Sequence, residues 1–535
     1  MVFLNGYQSS CSGSSFQGTF ANAHQLLQAD GRVSLFFDNC SVPNRPLIEE
    51  LGSKFGEFLA SFRYEGGAPV GQVDIVAHSM GGLIVRSYLS GKHAEPGVFM
   101  PPTETKVRKI IFIGTPHSGT EITSLLLGGS DRQTDALQMG SGFIFDLATW
   151  NQGIDDLRGA DAIAVLGDAG SGLVGTSRFN DPVTSLTSGS LGFVSQDRTR
   201  ILPYCHTDGI AFIGCIRPTT PIAQMDSGEH LTAQIMLSFL NDTQAWRTIG
   251  QSFEQHAQHS KRAGVMLRTK DATDRILTPS SVTAGSTALT IRTGSQVAYS
   301  DFLSVEQPSQ LTINFGSSTA SFTVPLAAGE MRPITYKPGP NIAGVFPSAA
   351  AVFPRTVAPG SLISIYGSQL SDSEVLVAGQ PMPLSYADAT QVNTLIPENA
   401  SGLVKLQVKN STGEHTVNVL VEPVRPAIFA PALNAITGTV VTPQSPLRPG
   451  DYVSLFLTGL GSTTERNGLN WANIQPEVTF GGQACAVTFA GRAPGYPGLD
   501  QINCQLSLAV QASDAAQVVV RSGSRISNVT TLAVR

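Results

Sequence analysis

The sequence predicts an N-terminal α/β domain, with a mostly parallel sheet flanked by helices, followed by a run of all-β sandwich modules. Over the first 245 residues, short β-branched apolar runs alternate with segments of helical periodicity. After that point the pattern changes to alternating strands separated by glycine and proline turns. The length of 535 residues also exceeds what a single hydrophobic core normally organises. The predicted fold class is therefore multidomain, α/β first and all-β afterwards.

The composition narrows the range of functions. Charged residues make up only 14% of the chain, whereas glycine (54) and proline (32) are abundant, which favours turn-rich β structure. The formal net charge of −6 argues against nucleic-acid binding and gives no polybasic membrane signal. No apolar run approaches the roughly 18 residues that a membrane-spanning helix needs. No transmembrane segment is therefore predicted.

The α/β domain is organised around residues 72–83, which predict a strand, a tight turn and a helix with Ser79 at the turn. Val73–Val76 is a β-branched apolar run of the kind found in buried parallel strands. Small residues stand two before and two after the serine, at Ala77 and Gly81, as a nucleophile elbow requires. Such a turn lifts the serine Oγ out of the sheet and directs the helix N-terminus at developing negative charge. Ser79 is therefore the candidate nucleophile.

A serine nucleophile of this kind needs an acid and a base, expected later in the chain in the order Asp, then His. Asp181 fits the acid because it lies in a loop after the buried strand 162–166, and Asp168 at the end of that strand is the alternative. His230 is the predicted base, because a histidine just before the last helix of the domain is the expected position. His206 is the competing base.

Two motifs carry a resemblance to a known family. Ala77-His-Ser-Met-Gly-Gly82 together with Gly114-Thr-Pro-His117 resembles the α/β-hydrolase lipases and esterases, and is similar to small bacterial lipases and the GPI inositol-deacylase group. The resemblance covers residues 1–245, with the acid and the base matched by order and context only. It implies an acyl-enzyme mechanism on an ester or lipid-like substrate, with no metal and no organic cofactor. The histidine that ends the second motif is given a structural or pocket-lining role.

The same resemblance predicts an oxyanion hole. In this family one backbone N–H directly follows the nucleophile, here at Met80, and the second comes from the loop after the first strand. Val2–Leu4 predicts that strand, and Asn5-Gly6-Tyr7 stands where lipases usually have His-Gly-x. The resemblance therefore makes the backbone N–H groups of Met80 and Tyr7 the predicted donors.

Patterning divides the chain into an α/β-hydrolase domain at 1–248, a linker at 249–275, a small β module at 276–338 and two sandwiches at 339–430 and 431–535. The two sandwiches contain a degenerate repeat: residues 359–366 match 449–456, and residues 391–393 match 501–503. Their turn-separated short strands are typical of immunoglobulin-like folds, and they resemble the IPT/TIG-like modules of bacterial surface and secreted proteins. This organisation predicts that a chain ending near residue 248 folds and hydrolyses small esters without the tail.

Six cysteines fall into three local pairs, Cys11/Cys40, Cys205/Cys215 and Cys485/Cys504. An even number in local clusters predicts three disulfides and a secreted, cell-surface or periplasmic protein. The alternative is six small buried thiols in a cytosolic protein. The sequence carries no signal peptide, and Met1 opens directly onto a strand, which we interpret as a truncated or re-annotated start.

The sequence therefore predicts a serine carboxylic-ester hydrolase of the lipase or esterase kind. An amidase or peptidase could use the same triad, and only substrate profiling would separate the two. A non-catalytic surface-binding protein, with an inactive hydrolase fold and adhesive modules, is the alternative from a different class. The tail is open to cell-surface or polysaccharide contact, or to a role as a spacer.

Overall fold

The structure is a computed structural model that describes residues 1–12, 14–121, 131–150, 156–169, 181, 183–191, 196–207, 220–350, 356–523 and 525–535. The contacts divide the chain into two compact units. The first unit comprises Met1–Thr269, Ile276–Gln307 and Ala328–Thr335, and the second comprises Lys270–Arg275, Pro308–Ala327 and Tyr336–Arg535.

The first unit is built on a seven-stranded sheet in the order β2-β1-β3-β4-β5-β6-β7. Its strands are β1 Val2–Leu4, β2 Leu35–Phe37, β3 Val73–His78, β4 Val107–Ile113, β5 Asp161–Gly167, β6 Thr199–Leu202 and β7 Gln251–Ser252. Strands β1 to β6 run parallel, and β7 is antiparallel to β6. Every residue of β3 is buried, as expected for a central parallel strand covered on both faces.

Helices cover both faces of this sheet. They are α1 Phe16–Phe20, α2 Ala23–Ala29, α3 Ile48–Ala60, α4 Met80–Ser90, α5 Arg132–Leu137, α6 Gly142–Thr149, α7 Leu186–Gly189, α8 Leu231–Leu240 and α9 Phe253–Ser260. One core cluster packs α3, α4, α5 and α6 against the sheet, and a second packs α1, α2 and α8 against the opposite face. Successive residues of β1 alternate between the two clusters, because strand side chains alternate between faces. The predicted α/β class is confirmed.

The chain continues from this sheet into a series of antiparallel strands. They are β8 Arg262–Lys270, β9 Ile276–Leu277, β10 Ser281–Ala284, β11 Thr287–Ala288, β12 Thr290–Arg292, β13 Val297–Ser304, β14 Ser309–Asn314, β15 Thr319–Val324 and β16 Met331–Tyr336. Strands β12, β13, β8 and β16 form one sheet in that order. Met266 and Tyr299 of this sheet belong to the same core cluster as Phe143 and Phe145 of α6. The first unit therefore extends well beyond residue 248.

The segment 249–275 was predicted to be a linker, but it contains regular secondary structure. It contains β7, which pairs with β6, then α9 and β8. Phe253 and Ala257 of α9, one helical turn apart, are buried against Leu186 and Ile201. The sequence did not indicate this short amphipathic helix, because only two apolar residues mark its buried face and the residues around them are polar.

The second unit carries the two sandwich copies. The first copy contains β17 Asn341–Pro347, β18 Leu362–Ser368, β19 Glu374–Val377, β20 Gln380–Pro381, β21 Tyr386–Ala387, β22 Gln391–Leu395, β23 Gly402–Asn410 and β24 Gly413–Val421. They form two four-stranded sheets, β17-β18-β22-β21 and β20-β19-β23-β24, around one apolar core. The predicted all-β sandwich character is confirmed.

The second copy is larger. Its strands are β25 Ala427–Ile428, β26 Leu433–Asn434, β27 Tyr452–Thr458, β28 Thr463–Arg466, β29 Leu469–Ala472, β30 Glu477–Phe480, β31 Gln483–Arg492, β32 Asp500–Gln505, β33 Ser513–Ser522, β34 Arg525–Ile526 and β35 Thr530–Val534. The strand register supports the repeat. In the first copy Ser364 lies opposite Asn393, and in the second Ser454 lies opposite Asn503.

Two of the predicted disulfides are confirmed, Cys11–Cys40 and Cys485–Cys504. The third predicted pair involves Cys215, which lies outside the described residues. Over the described part of the chain, no helix combines the length and the apolar character needed to cross a bilayer.

Candidate functional site

Ser79 stands at the strand–turn–helix junction that the sequence predicts. β3 ends at His78 and α4 begins at Met80, with Ser79 between them at φ 54° and ψ −126°. A positive φ is uncommon for a residue with a side chain and is frequent at functional turns. The Ser79 N–H donates to the carbonyl of Ile113 over 2.9 Å, which ties the turn to the end of β4. The turn therefore holds the serine at the carboxyl edge of the sheet, where α/β proteins keep their sites.

Small residues allow this turn to approach the first strand. A Cβ added to Gly81 would lie 2.7 Å from the carbonyl oxygens of both Leu4 and Asn5. A Cβ added to Gly6 would lie 2.7 Å from the Cβ of Ser79. Both distances are shorter than any real contact of a Cβ atom, so a side chain at either position would push the serine and the first loop apart.

His206 lies against the serine. Its Nε2 is 2.9 Å from Ser79 Oγ, and its Nδ1 is 2.6 Å from Asp181 Oδ2. The backbone reinforces the pair, because the His206 N–H donates to the Asp181 carbonyl over 2.5 Å. All three side chains are buried. The structure thus brings Ser79, His206 and Asp181 into one hydrogen-bonded chain.

Asp181 is held by the loop that follows it. Its Oδ1 accepts the backbone N–H groups of Val183 at 2.9 Å and Thr184 at 2.6 Å, which leaves Oδ2 for His206. The Thr184 hydroxyl donates to the Gly114 carbonyl over 2.9 Å. The carboxylate is therefore oriented by backbone donors rather than by another charged side chain.

His230 does not lie in this chain, and the position predicted for it is taken by His206. His230 is the N-cap of α8, where its Nδ1 accepts the backbone N–H of Thr232 over 3.3 Å. Its ring packs on Tyr204 at 4.6 Å between centroids, and burial lowers its pKa. Both histidines follow Asp181 in sequence, so order alone could not separate them. His206 follows β6 directly and therefore shares the carboxyl edge with Ser79.

The other candidates occupy supporting positions. Asp168 is hydrogen-bonded through its backbone N–H to Leu202, and burial raises the pKa of its carboxyl. His117 packs edge-to-face on Phe112 at 4.7 Å, and its carbonyl accepts from Arg86 over 3.0 Å. Burial lowers the pKa of His117 well below its usual value. These contacts agree with the structural role expected for His117.

His78, which the sequence analysis did not single out, contacts His206. Its Nε2 is 3.2 Å from the His206 carbonyl oxygen, and the two rings are 4.8 Å apart. A carbonyl only accepts hydrogen bonds, so Nε2 of His78 carries the proton. Burial, followed by the charge of His206, lowers the pKa of His78 to about 3, which keeps its ring neutral. Its position immediately before Ser79 is the sequence signal that could have identified it as a residue of the site.

The loop after β1 is held by an asparagine from a neighbouring segment. The side-chain amide of Asn39 donates to the carbonyl of Gly6 over 2.7 Å and to that of Asn5 over 3.3 Å. The Asn39 backbone N–H in turn donates to Asn5 Oδ1 over 3.1 Å. In a trans peptide the C=O and N–H point in opposite directions. Fixing the Gly6 carbonyl on Asn39 therefore directs the Tyr7 N–H away from Asn39.

The side chain of Tyr7 anchors the far end of this loop. Its hydroxyl donates to Asp131 Oδ2 over 2.9 Å, and Arg45 binds the same oxygen over 2.7 Å. Arg45 also donates to the carbonyls of Gln8 and Ser9. Burial raises the pKa of the Tyr7 phenol, so it stays protonated and remains a donor. Asn39, Arg45 and Asp131 lie in no local motif, so no sequence signal could have selected them.

Comparison with known proteins identifies one part of the chain. Residues 347–422 match the family described as IPT/TIG domain, which confirms that resemblance for the first sandwich copy. No curated protein matches the chain.

Among solved structures, the chain matches phospholipase PlaB from Legionella pneumophila in complex with thio-NAD, at 13% identity over 63% of this chain and 92% of that chain, with a TM-score of 0.45. The mature form of Bacillus licheniformis lipase BlEst2 matches at 18% identity over 39% of this chain and 84% of that chain, with a TM-score of 0.28. Its propeptide form matches at 10% identity over 98% and 95%, with a TM-score of 0.30.

Proposed function

We propose that the protein is a serine hydrolase of carboxylic esters in which Ser79, His206 and Asp181 form the catalytic triad. The observation that carries this proposal is the hydrogen-bonded chain from Ser79 Oγ through His206 to Asp181, at 2.9 and 2.6 Å. A buried serine at a strained turn, a histidine on its oxygen and a carboxylate on the other ring nitrogen are the three parts of this chemistry.

The hydrogen bonds fix the direction of proton transfer. Asp181 Oδ2 accepts from His206 Nδ1–H, so the lone pair of Nε2 faces Ser79 Oγ. In acylation Oγ attacks the ester carbonyl carbon while its proton passes to Nε2. The tetrahedral intermediate then expels the alcohol, which takes the proton from Nε2, and an acyl-serine remains. Asp181 holds the tautomer and stabilises the imidazolium.

Deacylation repeats these steps with water as the nucleophile. Water attacks the acyl carbon and gives its proton to His206 Nε2, and the second intermediate releases the carboxylic acid as Ser79 Oγ recovers that proton. The backbone N–H groups of Met80 and Tyr7 are the proposed hydrogen-bond donors to the oxyanion of each intermediate. The N-terminal position of Met80 in α4 and the peptide orientation that Asn39 imposes at Gly6 support this assignment.

An ester substrate is proposed on the resemblance to lipases and esterases, and amide hydrolysis is the second candidate for the same triad. The two confirmed disulfides support an exported protein. The IPT/TIG domain at 347–422 supports a tail that contacts a cell surface or polysaccharide. A purely adhesive protein would not need the buried triad.

The experiment is hydrolysis of p-nitrophenyl esters of graded chain length, and of matched anilides, by the wild type and Ser79→Ala. We expect ester turnover by the wild type, its loss in Ser79→Ala, and covalent labelling of Ser79 by a fluorophosphonate. Preferential anilide turnover would indicate an amidase. A wild type that neither turns over esters or anilides nor reacts with the fluorophosphonate would rule out the serine hydrolase proposal.

A further inference from the structure

The backbone of His206 is anchored on both sides of its side chain. Its N–H donates to the Asp181 carbonyl over 2.5 Å, and its own carbonyl oxygen lies 3.2 Å from Nε2 of His78. The first contact belongs to the triad, because Asp181 also binds the imidazole. The second comes from a residue outside the triad. His78 therefore adds a constraint on the base that the triad does not supply.

His78 occupies a rigid position in the fold. It is the last residue of β3, in which every residue is buried, and it pairs in parallel register with Ile113 of β4. Close packing around a central strand leaves a buried side chain little freedom to move. The imidazole of His78 is therefore a fixed point against which the loop carrying His206 can be held.

The ring of His78 lies between the two loops that flank the serine. On one side its centroid is 4.8 Å from that of His206. On the other side is Gly6, where an added Cβ would lie 3.4 Å from His78 Nδ1 and 3.2 Å from Ser79 Oγ. The same imidazole thus borders the loop of the base and the loop after β1, beside the nucleophile.

We propose that His78 is a positioning residue, whose Nε2–H holds the His206 carbonyl and so keeps the imidazole of His206 in line with Ser79 Oγ. This inference rests on the proposed function, since it assigns His78 a role in the same triad. His78 acts through His206, and its Nε2 proton stays in the hydrogen bond throughout the reaction. The elbow sequence then supplies two functions in adjacent residues, the nucleophile and a support for its base.

Two substitutions separate the hydrogen bond from the ring contact. His78→Phe keeps an aromatic ring against His206 but has no N–H group to donate. His78→Gln removes the ring but retains a side-chain amide donor at a similar reach. The matched control is His24→Phe, which changes a half-buried histidine of α2 that packs edge-to-face on Phe16 at 5.3 Å.

The test is made on the full chain, with p-nitrophenyl ester kinetics of the wild type and the three variants. We expect His78→Phe to lower kcat by about 10- to 100-fold, the usual effect of losing a partner that orients a functional ligand. KM should change little. The rate of Ser79 labelling by a fluorophosphonate should fall by the same factor as kcat, because both reactions need the base. His78→Gln should recover both rates, and His24→Phe should match the wild type.

Two results would overturn the inference. The first is His78→Phe with the kcat and labelling rate of His24→Phe. The second is an equal loss of activity and thermal stability in His78→Phe and His78→Gln, which would assign His78 to packing alone. Should His78→Phe not fold, His78→Gln decides: rates close to the wild type support the donor, and a loss of about 10-fold or more overturns it. A wild type that is neither active nor labelled would contradict the proposed function itself, and that outcome is distinct from both.

Discussion

The two sides of the candidate site are held by different parts of the chain. On the oxyanion side, the loop after β1 is fixed by Asn39, which lies 33 residues from the Gly6 carbonyl that it binds. On the side of Asp181, the Ser190 hydroxyl donates to the Gly329 carbonyl 139 residues away, and Leu186 packs in one apolar cluster with Phe253. The first support is local in sequence and the second is long-range. The difference teaches that one flank of the loop carrying Asp181 packs on residues that sequence patterning assigns to a linker and to a separate module.

The largest effect should come from removing the long-range support entirely. A chain ending at residue 248 loses α9 and the sheet that contributes Met266, Val297, Tyr299 and Met331 to the core. We expect such a chain to be insoluble or inactive on short p-nitrophenyl esters, contrary to the expectation from sequence. Solubility, far-UV circular dichroism and ester turnover provide the measurement.

The matched control is a chain ending at residue 338, which keeps β8 to β16 and omits both sandwich copies. It should remain folded and close to full activity on small esters, because all of the first unit is present. A soluble, active chain of 248 residues would show that the acid side needs no support from the later strands.

The second prediction concerns the acid side alone. His206→Ala should lower kcat by about 10⁴-fold, because the triad members act as a unit and the residual rate comes from binding and the oxyanion hole. His230→Ala removes an N-cap and the ring contact with Tyr204, so it should cost at least about 1 kcal/mol in the free energy of unfolding and leave kcat close to the wild type. Steady-state kinetics and thermal melts of both variants give the answer. An inactive His230→Ala together with an active His206→Ala would instead make His230 the base.

These two histidines show how far sequence reasoning reaches. The elbow at Ser79 was predictable because strand, turn and helix signals are local and coincide at one position. The sequence also placed Asp181 in a loop after β5, and the structure brings its Oδ2 to 2.6 Å from His206 Nδ1. The order along the chain did not separate His206 from His230, and only the parallel register of β5 and β6 places His206 beside the serine.

The supporting residues were beyond sequence reasoning for the same physical reason. Asn39 and Arg45 act through hydrogen bonds to partners distant in the chain, and no periodicity records such partners. The region from 276 onward was predicted as β structure, whereas β8 lies in the segment predicted as a linker. Membership of the first unit depends on which surface the apolar face of a strand covers, and neither β8 nor β13 shows this in its sequence. The sandwich repeat was predictable because both copies repeat the same residues in the same register.

The third prediction concerns the loop after β1, at the point where Gly6 approaches Ser79. Gly6→Ala places a Cβ 2.7 Å from the Ser79 Cβ, so the loop must move away from the serine. We expect kcat to fall by about 10²–10³-fold, the effect of losing one oxyanion donor. Gly66→Ala is the control, because an added Cβ there meets nothing within 4 Å. A Gly6→Ala enzyme as active as Gly66→Ala would remove Tyr7 from the oxyanion hole.

The smallest effect should come from loosening the same loop without a steric clash. Asn39→Asp keeps the size of the side chain but replaces the amide donor by an acceptor that faces the carbonyls of Asn5 and Gly6. Two acceptor oxygens then repel, and the Gly6–Tyr7 peptide is no longer held in one orientation. We expect kcat to fall by about 10-fold, as is usual when a hydrogen-bonding partner outside the reacting groups is lost.

The control and the second readout make this last comparison specific. Asn22→Asp alters another amide that donates to a backbone carbonyl, but at an exposed position where it binds Asp226. Only Asn39→Asp should slow phosphonylation of Ser79 in proportion to kcat, because the phosphoryl oxygen of the inhibitor needs the same backbone donors as the oxyanion. A loss of thermal stability in Asn39→Asp with unchanged kcat and labelling would mean that Asn39 holds the loop for folding alone.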